Sequence, residues 1–256
     1  MSESSILASV DERGIATLTI NRPDKANSYT MGMFNQLADH MEQWGADLGV
    51  RAIVLRGAGR HFSAGAAIGE PSAVPASGRV RNSFEICELI DACPAPTIAL
   101  IQGACVGGGM AIAACCDMVI AARSAFFSIP EARLGMTSGT LSVYFQRAIG
   151  AHHFRRYAQT GERFSAEDAQ RMGFVQTLCD PETLDSSLQK VLDELMLSGP
   201  NATRAVKATS ALLAANALTP ALLERIQAEF AASQNSEEAR EGKASFREKR
   251  KPGWYK

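Results

Sequence analysis

The stretch "IQGACVGGGMAIAACCD", Ile101–Asp117, carries the reading of the whole chain. Its first residues continue an apolar, β-branched run from Thr97 and predict a single strand, "TIALIQGACVGGG", buried on both faces up to the glycines. Gly107, Gly108 and Gly109 follow, and then "MAIAACCD" predicts a helix. Glycine at a strand-to-helix junction permits unusual dihedrals and close backbone approach. The first N–H groups of a helix have no internal partner and carry the positive end of its dipole. Gly108 and Gly109 can therefore offer N–H groups to a negatively polarised oxygen. A phosphate is a poor fit. Met110 and Ala111 stand where a P-loop has Lys and Ser/Thr, and Ile112 stands where a dinucleotide fingerprint needs glycine. Taken alone, the segment reads better as close helix–strand packing, the usual fate of a small apolar helix.

Outward from this stretch the pattern alternates. "GIATLTINRP" predicts a first strand, "TMGMFNQLADHMEQWGAD" a helix capped by Thr30, and "VRAIVLRGAG" a buried strand. "RNSFEICELIDACPAP" predicts a helix stopped by Pro94 and Pro96. "MVIAA" reads as a strand, and "AFFSIPEARLG" as a short strand and turn. From Thr137 onward helical patterns dominate, with Ser165, Asn201, Thr219 and Ser236 as caps. An α/β fold with mainly parallel strands and trailing helices follows. The expected division is a core over residues 1–198 and a helical region over 199–256. "GEPSAVPASG", Gly69–Gly78, reads as a linker-like loop.

Composition narrows the function. A net charge of -1 argues against a general nucleic-acid binder. No apolar run reaches the ~18 residues of a membrane span, and no secretory signal is legible at the N-terminus. Six cysteines show no Cys-x-x-Cys and no His at metal-ligand spacing. Cys105, Cys115 and Cys116, in apolar surroundings, read as small buried side chains; a reduced, cytoplasmic setting without a zinc site is expected.

Two further segments point at chemistry. "RHFSAGAAIG", Arg60–Gly69, also leaves a buried strand and should emerge beside the three glycines. Ligands of parallel sheets sit at the C-terminal strand ends. One N–H from each loop would make an oxyanion hole. "FSIPEARLG" then places Glu131 after a short apolar strand, in reach of the same edge. A surface carboxylate is the commoner fate of Glu.

In this order and spacing, these segments resemble the crotonase (enoyl-CoA hydratase/isomerase) superfamily essentially end to end. "NRPDKANSYT" resembles its first CoA-contacting turn. "HFSAGAAIG" and "IQGACVGGGMAIAACCD" resemble its two oxyanion loops, and "FSIPEARLG" its catalytic-glutamate strand. "GERFSAEDAQRMGFV" and "REKRKPGW" resemble its later segments. The resemblance implies a crotonase-like ββα spiral core with C-terminal helices, assembled as a trimer or dimer of trimers. It implies an acyl-CoA ligand, coenzyme A being part of the substrate and no separate cofactor being needed. The thioester oxygen would lie between the N–H groups of Ala66 and Gly108. Lys25, Ala26, Ser28, Ala64, Ala67 and Ile68 would hold the CoA portion, with Phe246 and Lys249 approaching it, in one version from a neighbouring subunit.

Three departures set the expected reaction. The second glutamate of the two-glutamate hydratases falls at Ala111. The Asp that often follows the first oxyanion residue falls at Ala67. The Asp of dienoyl isomerases falls at Gly139. Glu131 is then the one strong acid–base candidate. The lead expectation is a single-glutamate hydratase acting on a 3-branched glutaconyl thioester such as 3-methylglutaconyl- or isohexenylglutaconyl-CoA. A single-glutamate enoyl-CoA isomerase is the second, and a non-catalytic acyl-CoA binder the third. Arg79, Arg81 and Arg133 are candidates for a distal carboxylate, although a surface role is the commoner reading of each. His61 is expected to face solvent, Asp117 to cap or pack, and Tyr144 to pack in the core.

Overall fold

The computed structural model describes residues 4–70 and 81–256. A six-stranded sheet in the order β1-β2-β3-β4-β6-β9 organises it. The strands are β1 (Ile6–Val10), β2 (Ile15–Ile20), β3 (Ala52–Gly57), β4 (Thr97–Ile101), β6 (Met118–Ala122) and β9 (Thr177–Cys179). Only β1 with β2 is antiparallel in it. A second sheet joins β5 (Ala104–Val106), β7 (Phe126–Ser128) and β8 (Phe164–Ser165). β5 runs parallel to β7, and β8 antiparallel to it. Ten α-helices are found among the described residues: α1 (Met31–Ala46), α2 (Ser83–Asp91), α3 (Gly108–Ala114), α4 (Ser142–Ile149), α5 (Ala151–Thr160), α6 (Ala166–Arg171), α7 (Leu184–Leu197), α8 (Pro200–Ala215), α9 (Pro220–Gln234) and α10 (Glu237–Glu248).

The two-residue period of the strands explains the layers. Ile53, Leu55, Ala99, Ile101, Val119 and Ala121 face one way, into a core shared with α1, α2 and the second sheet. Their alternates Ala52, Val54, Ile98, Leu100, Ile120 and Ala122 face the other way. There they meet Leu184, Leu188, Leu192 and Met196, a four-residue repeat that puts one stripe of α7 on the sheet. β4 is buried along its whole length because both faces are covered.

Several expectations need correcting. "GIATLTINRP" is the second strand, since Ile6–Val10 already pairs with it as an edge. "TIALIQGACV" is two strands in two sheets. Gly103, at φ +58°, turns the chain between them, and Arg60 O lies where its Cβ would go. The C-terminal half adds β8 and β9, too short for periodicity to register. α8 starts at Pro200 behind Gly199, and Asn201 lies inside it. The Glu238 carboxylate of α10 caps it, accepting from Asn201 N at 2.9 Å and Ala202 N at 2.8 Å. His61 is half-buried, and its Nδ1 accepts from Ala104 N–H at 3.0 Å. The predicted caps Ser165, Thr219 and Ser236 accept helix N–H groups. Of the linker, everything past Glu70 lies outside the described residues, as does Arg79.

Polar contacts tie the C-terminal helices down. The Arg204 guanidinium donates to the carbonyls of Gly45, Asp47 and Val50 at the end of α1. Arg51 donates to Ser198 O and Trp254 O. Asp117 pairs with Lys207 at 2.7 Å and accepts from Thr97 N at 2.8 Å and Thr97 Oγ1 at 2.9 Å. Asp117 is therefore a packing residue, as expected. Replacing it by alanine strands the N–H of fully buried Thr97. The expected loss is about 2 kcal/mol of stability in urea unfolding, with turnover per folded molecule unchanged.

Candidate active site

The two glycine-punctuated loops meet through backbone pairing. Ser63 bridges Cys105, with Ser63 N donating to Ala104 O and Val106 N to Ser63 O, both at 3.0 Å. On its other side this loop pairs with "NSYT". Tyr29 N donates to Gly65 O at 3.0 Å, and Ala67 N to Tyr29 O at 2.9 Å. Tyr29 thus bonds to both neighbours of Ala66, which turns the Ala66 N–H away from the ladder. Gly108 is the first residue of α3, so its N–H has no helical acceptor. Among the described residues neither N–H has a protein partner.

Each of the three glycines has its own cause. Gly107 sits at φ +53°, a backbone that side chains avoid, with its N–H given to Ser128 O at 2.9 Å. A Cβ on Gly108 would coincide with the Tyr29 hydroxyl. A Cβ on Gly109 would stand 2.7 Å from Ser63 Cβ. Close packing therefore accounts for Gly108 and Gly109, and the Gly108 N–H is left without a protein partner among the described residues.

Glu131 opens a 3-10 turn, Glu131–Leu134, directly after β7. The turn closes on Gly135 at φ +70°. It is braced from outside by Arg133, whose Nε donates to Thr160 O at 2.8 Å. The Glu131 carboxyl lies against Gly107: Oε1 is 3.1 Å from where a Cβ there would be. Oε2 is buried and has no hydrogen-bond partner among the described residues. Burial pushes the carboxyl above the ordinary value of 4.5. If Glu131 acts as base, activity needs its ionised form. The acid limb of kcat/KM is then expected above pH 4.5, rising with pH, and a rate profile against buffer pH measures it.

A cavity of about 540 Å³ joins these groups. Tyr29, Ala64, Gly65, Ala66 and Ile68 form one wall, Gly107, Gly108 and Glu131 another. Phe84, Leu134 and residues 136–141 close the far end. Glu131 is the only carboxylate in this lining, and no Lys or Arg belongs to it among the described residues. Ala111 is fully buried and outside the wall. Arg81 pairs with Glu42 at 2.9 Å, and Tyr144, in the core cluster, meets Phe84 with the rings tilted at 43°. No described group of His, Cys, Asp or Glu is arranged to hold a metal ion.

The proposed CoA residues divide. Ala64 and Ile68 line the cavity. Lys25, Ala26 and Ser28 lie outside the lining on the paired turn, where Ala64 N donates to Ala26 O at 2.9 Å, and Ala67 lies outside it on the same loop as Ala64 and Ile68. Ala26 is left-handed at φ +49°, and an Arg22–Glu70 ion pair of 2.6 Å straps the two loops together. Phe246 and Lys249, at the end of α10, do not belong to the cavity within one chain, and Phe246 is 86% exposed. The residue that sequence reasoning missed is Tyr29. Its only sequence signal is an aromatic inside an otherwise polar turn.

A family model described as enoyl-CoA hydratase/isomerase matches residues 11–256. The YngF protein of Bacillus subtilis (strain 168) is 30% identical over 254 residues, 96% of each chain. The enoyl-CoA hydratase ACTT6 of Alternaria alternata is 30% identical over 195 residues, 76% of this chain and 65% of that protein. The chain thus spans somewhat under two thirds of that fungal relative. The solved structure of Pseudomonas aeruginosa AtuE superposes with a TM-score of 0.90 at 33% identity, over 99% of this chain and 100% of that one. No helix among the described residues is long and apolar enough to cross a membrane.

Proposed function

This chain belongs to the enoyl-CoA hydratase/isomerase family, and on that premise we propose that it hydrates an α,β-unsaturated acyl-CoA thioester. The observation that carries the reading is Glu131, with one buried oxygen unpartnered among the described residues, lining the same cavity as the Ala66 and Gly108 N–H groups, which likewise have no partner among the described residues. Ala66 N–H and Gly108 N–H receive the thioester oxygen. Glu131 takes a proton from water as its oxygen bonds to C3. The C2–C3 π electrons move toward the carbonyl, and the enolate charge settles on the thioester oxygen between the donors. The carboxyl then returns its proton to C2, so that one water is added and the catalyst is restored. The CoA portion runs over Lys25, Ala26, Ser28, Ala64, Ala67 and Ile68. Phe246 and Lys249 reach it only if a neighbouring subunit of a homo-oligomer supplies them, since they stand off the cavity of their own chain.

For the acyl group we propose the 3-branched glutaconyl class. The far end offers Ser83, Thr137, Ser138 and Thr140, whose hydroxyl and backbone N–H groups suit a distal carboxylate without a cation. A second reading is kept by the same lone carboxylate: one base can also carry a proton between C2 and C4, which is isomerisation. Mass-spectrometric product analysis across 2-enoyl-, 3-enoyl- and glutaconyl-CoA separates these. Addition of water to a 2-enoyl or glutaconyl thioester supports hydration. Conversion of a 3-enoyl thioester to the conjugated isomer without a hydroxyacyl product would replace the hydratase reading by the isomerase one.

A further inference from the structure

Tyr29 is 6% exposed, and its ring packs against Phe34 with centroids 4.3 Å apart. Its hydroxyl nevertheless makes no hydrogen bond among the described residues, is not one of the sealed unpartnered atoms, and belongs to a residue of the cavity wall, so the oxygen opens to the cavity. A buried phenol ordinarily finds a partner. This one stands where a Cβ of Gly108 would be, within about 4 Å of that residue's nitrogen by covalent geometry. The place is held from both ends. Tyr29 backbone pairs with Gly65 and Ala67 on the first donor loop, while its side chain reaches across to the second.

We propose that Tyr29 is a further catalytic residue, its O–H donating to the same thioester oxygen that receives the Ala66 and Gly108 N–H groups. This deepens the acyl-CoA reading of the site and rests on it. A third donor makes chemical sense where only one carboxylate serves the reaction, because the enolate must then persist while that carboxyl turns from base to acid. Burial, with Cys87 and Glu131 adding to it, keeps the phenol protonated well beyond the ordinary range, so the group remains a donor. The absence of a side chain at Gly108 leaves the space that the hydroxyl uses.

The test is Tyr29→Phe, which removes one oxygen and keeps the ring. For a 2-enoyl-CoA, kcat should fall ~10- to 100-fold, with KM changed less than about threefold. The infrared carbonyl band of a bound saturated acyl-CoA should move back toward its solution frequency. Uniform 3-fluorotyrosine labelling strengthens the phenol as a donor and should move that band the opposite way, without relying on the variant's folding. A Tyr29→Phe protein with wild-type kcat and an unmoved carbonyl band overturns the assignment while leaving the acyl-CoA reading intact. A fluorotyrosine protein with an unmoved band does the same. Wild-type protein that neither binds nor converts any acyl-CoA overturns the reading of the site, and the assignment with it.

Discussion

Glu131→Gln is expected to lower kcat for the true enoyl-CoA substrate by about 10³-fold or more, within the 10²–10⁴ of acid–base catalysis plus the loss of the only carboxylate that the described residues bring to the cavity. The amide keeps the shape of the side chain and its place against Gly107. Binding of an unreactive acyl-CoA, followed by calorimetry, should therefore persist. Stability should rise slightly at neutral pH rather than fall. The carboxylate is disfavoured by burial, so the folded state holds the Glu131 proton more tightly than the unfolded chain does. Stability from this group is then lost as pH rises from the unfolded value toward the higher folded one, and the amide does not titrate. A glutamine variant with wild-type turnover would remove Glu131 from the chemistry.

Gly108→Pro is the second large effect. Proline fits the first position of a helix, so α3 can still start. It removes the N–H, however, and its Cβ falls on the Tyr29 hydroxyl. The expected loss in kcat is about 10²–10³-fold, the usual cost of one oxyanion donor. Circular dichroism verifies folding, and steady-state kinetics reads the loss. A folded variant with undiminished turnover would contradict the donor role of this loop.

Much of this site was legible because the relevant signals are local. The alternation of apolar residues in β3 and β4 marks a doubly covered sheet. The glycine runs mark the strand-to-helix junctions, and Glu131 follows its strand at a fixed offset. What stayed hidden depends on contacts between distant residues. Tyr29 and Gly108 meet only because the chain pairs residue 29 with residue 66 and residue 63 with residue 105. His61 looked like a surface residue, since nothing local shows that its ring accepts the Ala104 N–H. The break at Gly103 was lost inside an apolar run whose two halves enter different sheets. Glu238 as the cap of α8 crosses two helices and leaves no local mark.

The centre of the account is a thioester enolate formed and quenched by one carboxyl between two backbone donors. The direct measurement is conversion of a 2-enoyl-CoA in D₂O, with mass spectrometry and NMR locating the label. Wild-type protein should form 3-hydroxyacyl product carrying one deuterium at C2, and Glu131→Gln should not. Product lacking deuterium at C2, or labelled equally by the glutamine variant, would contradict it.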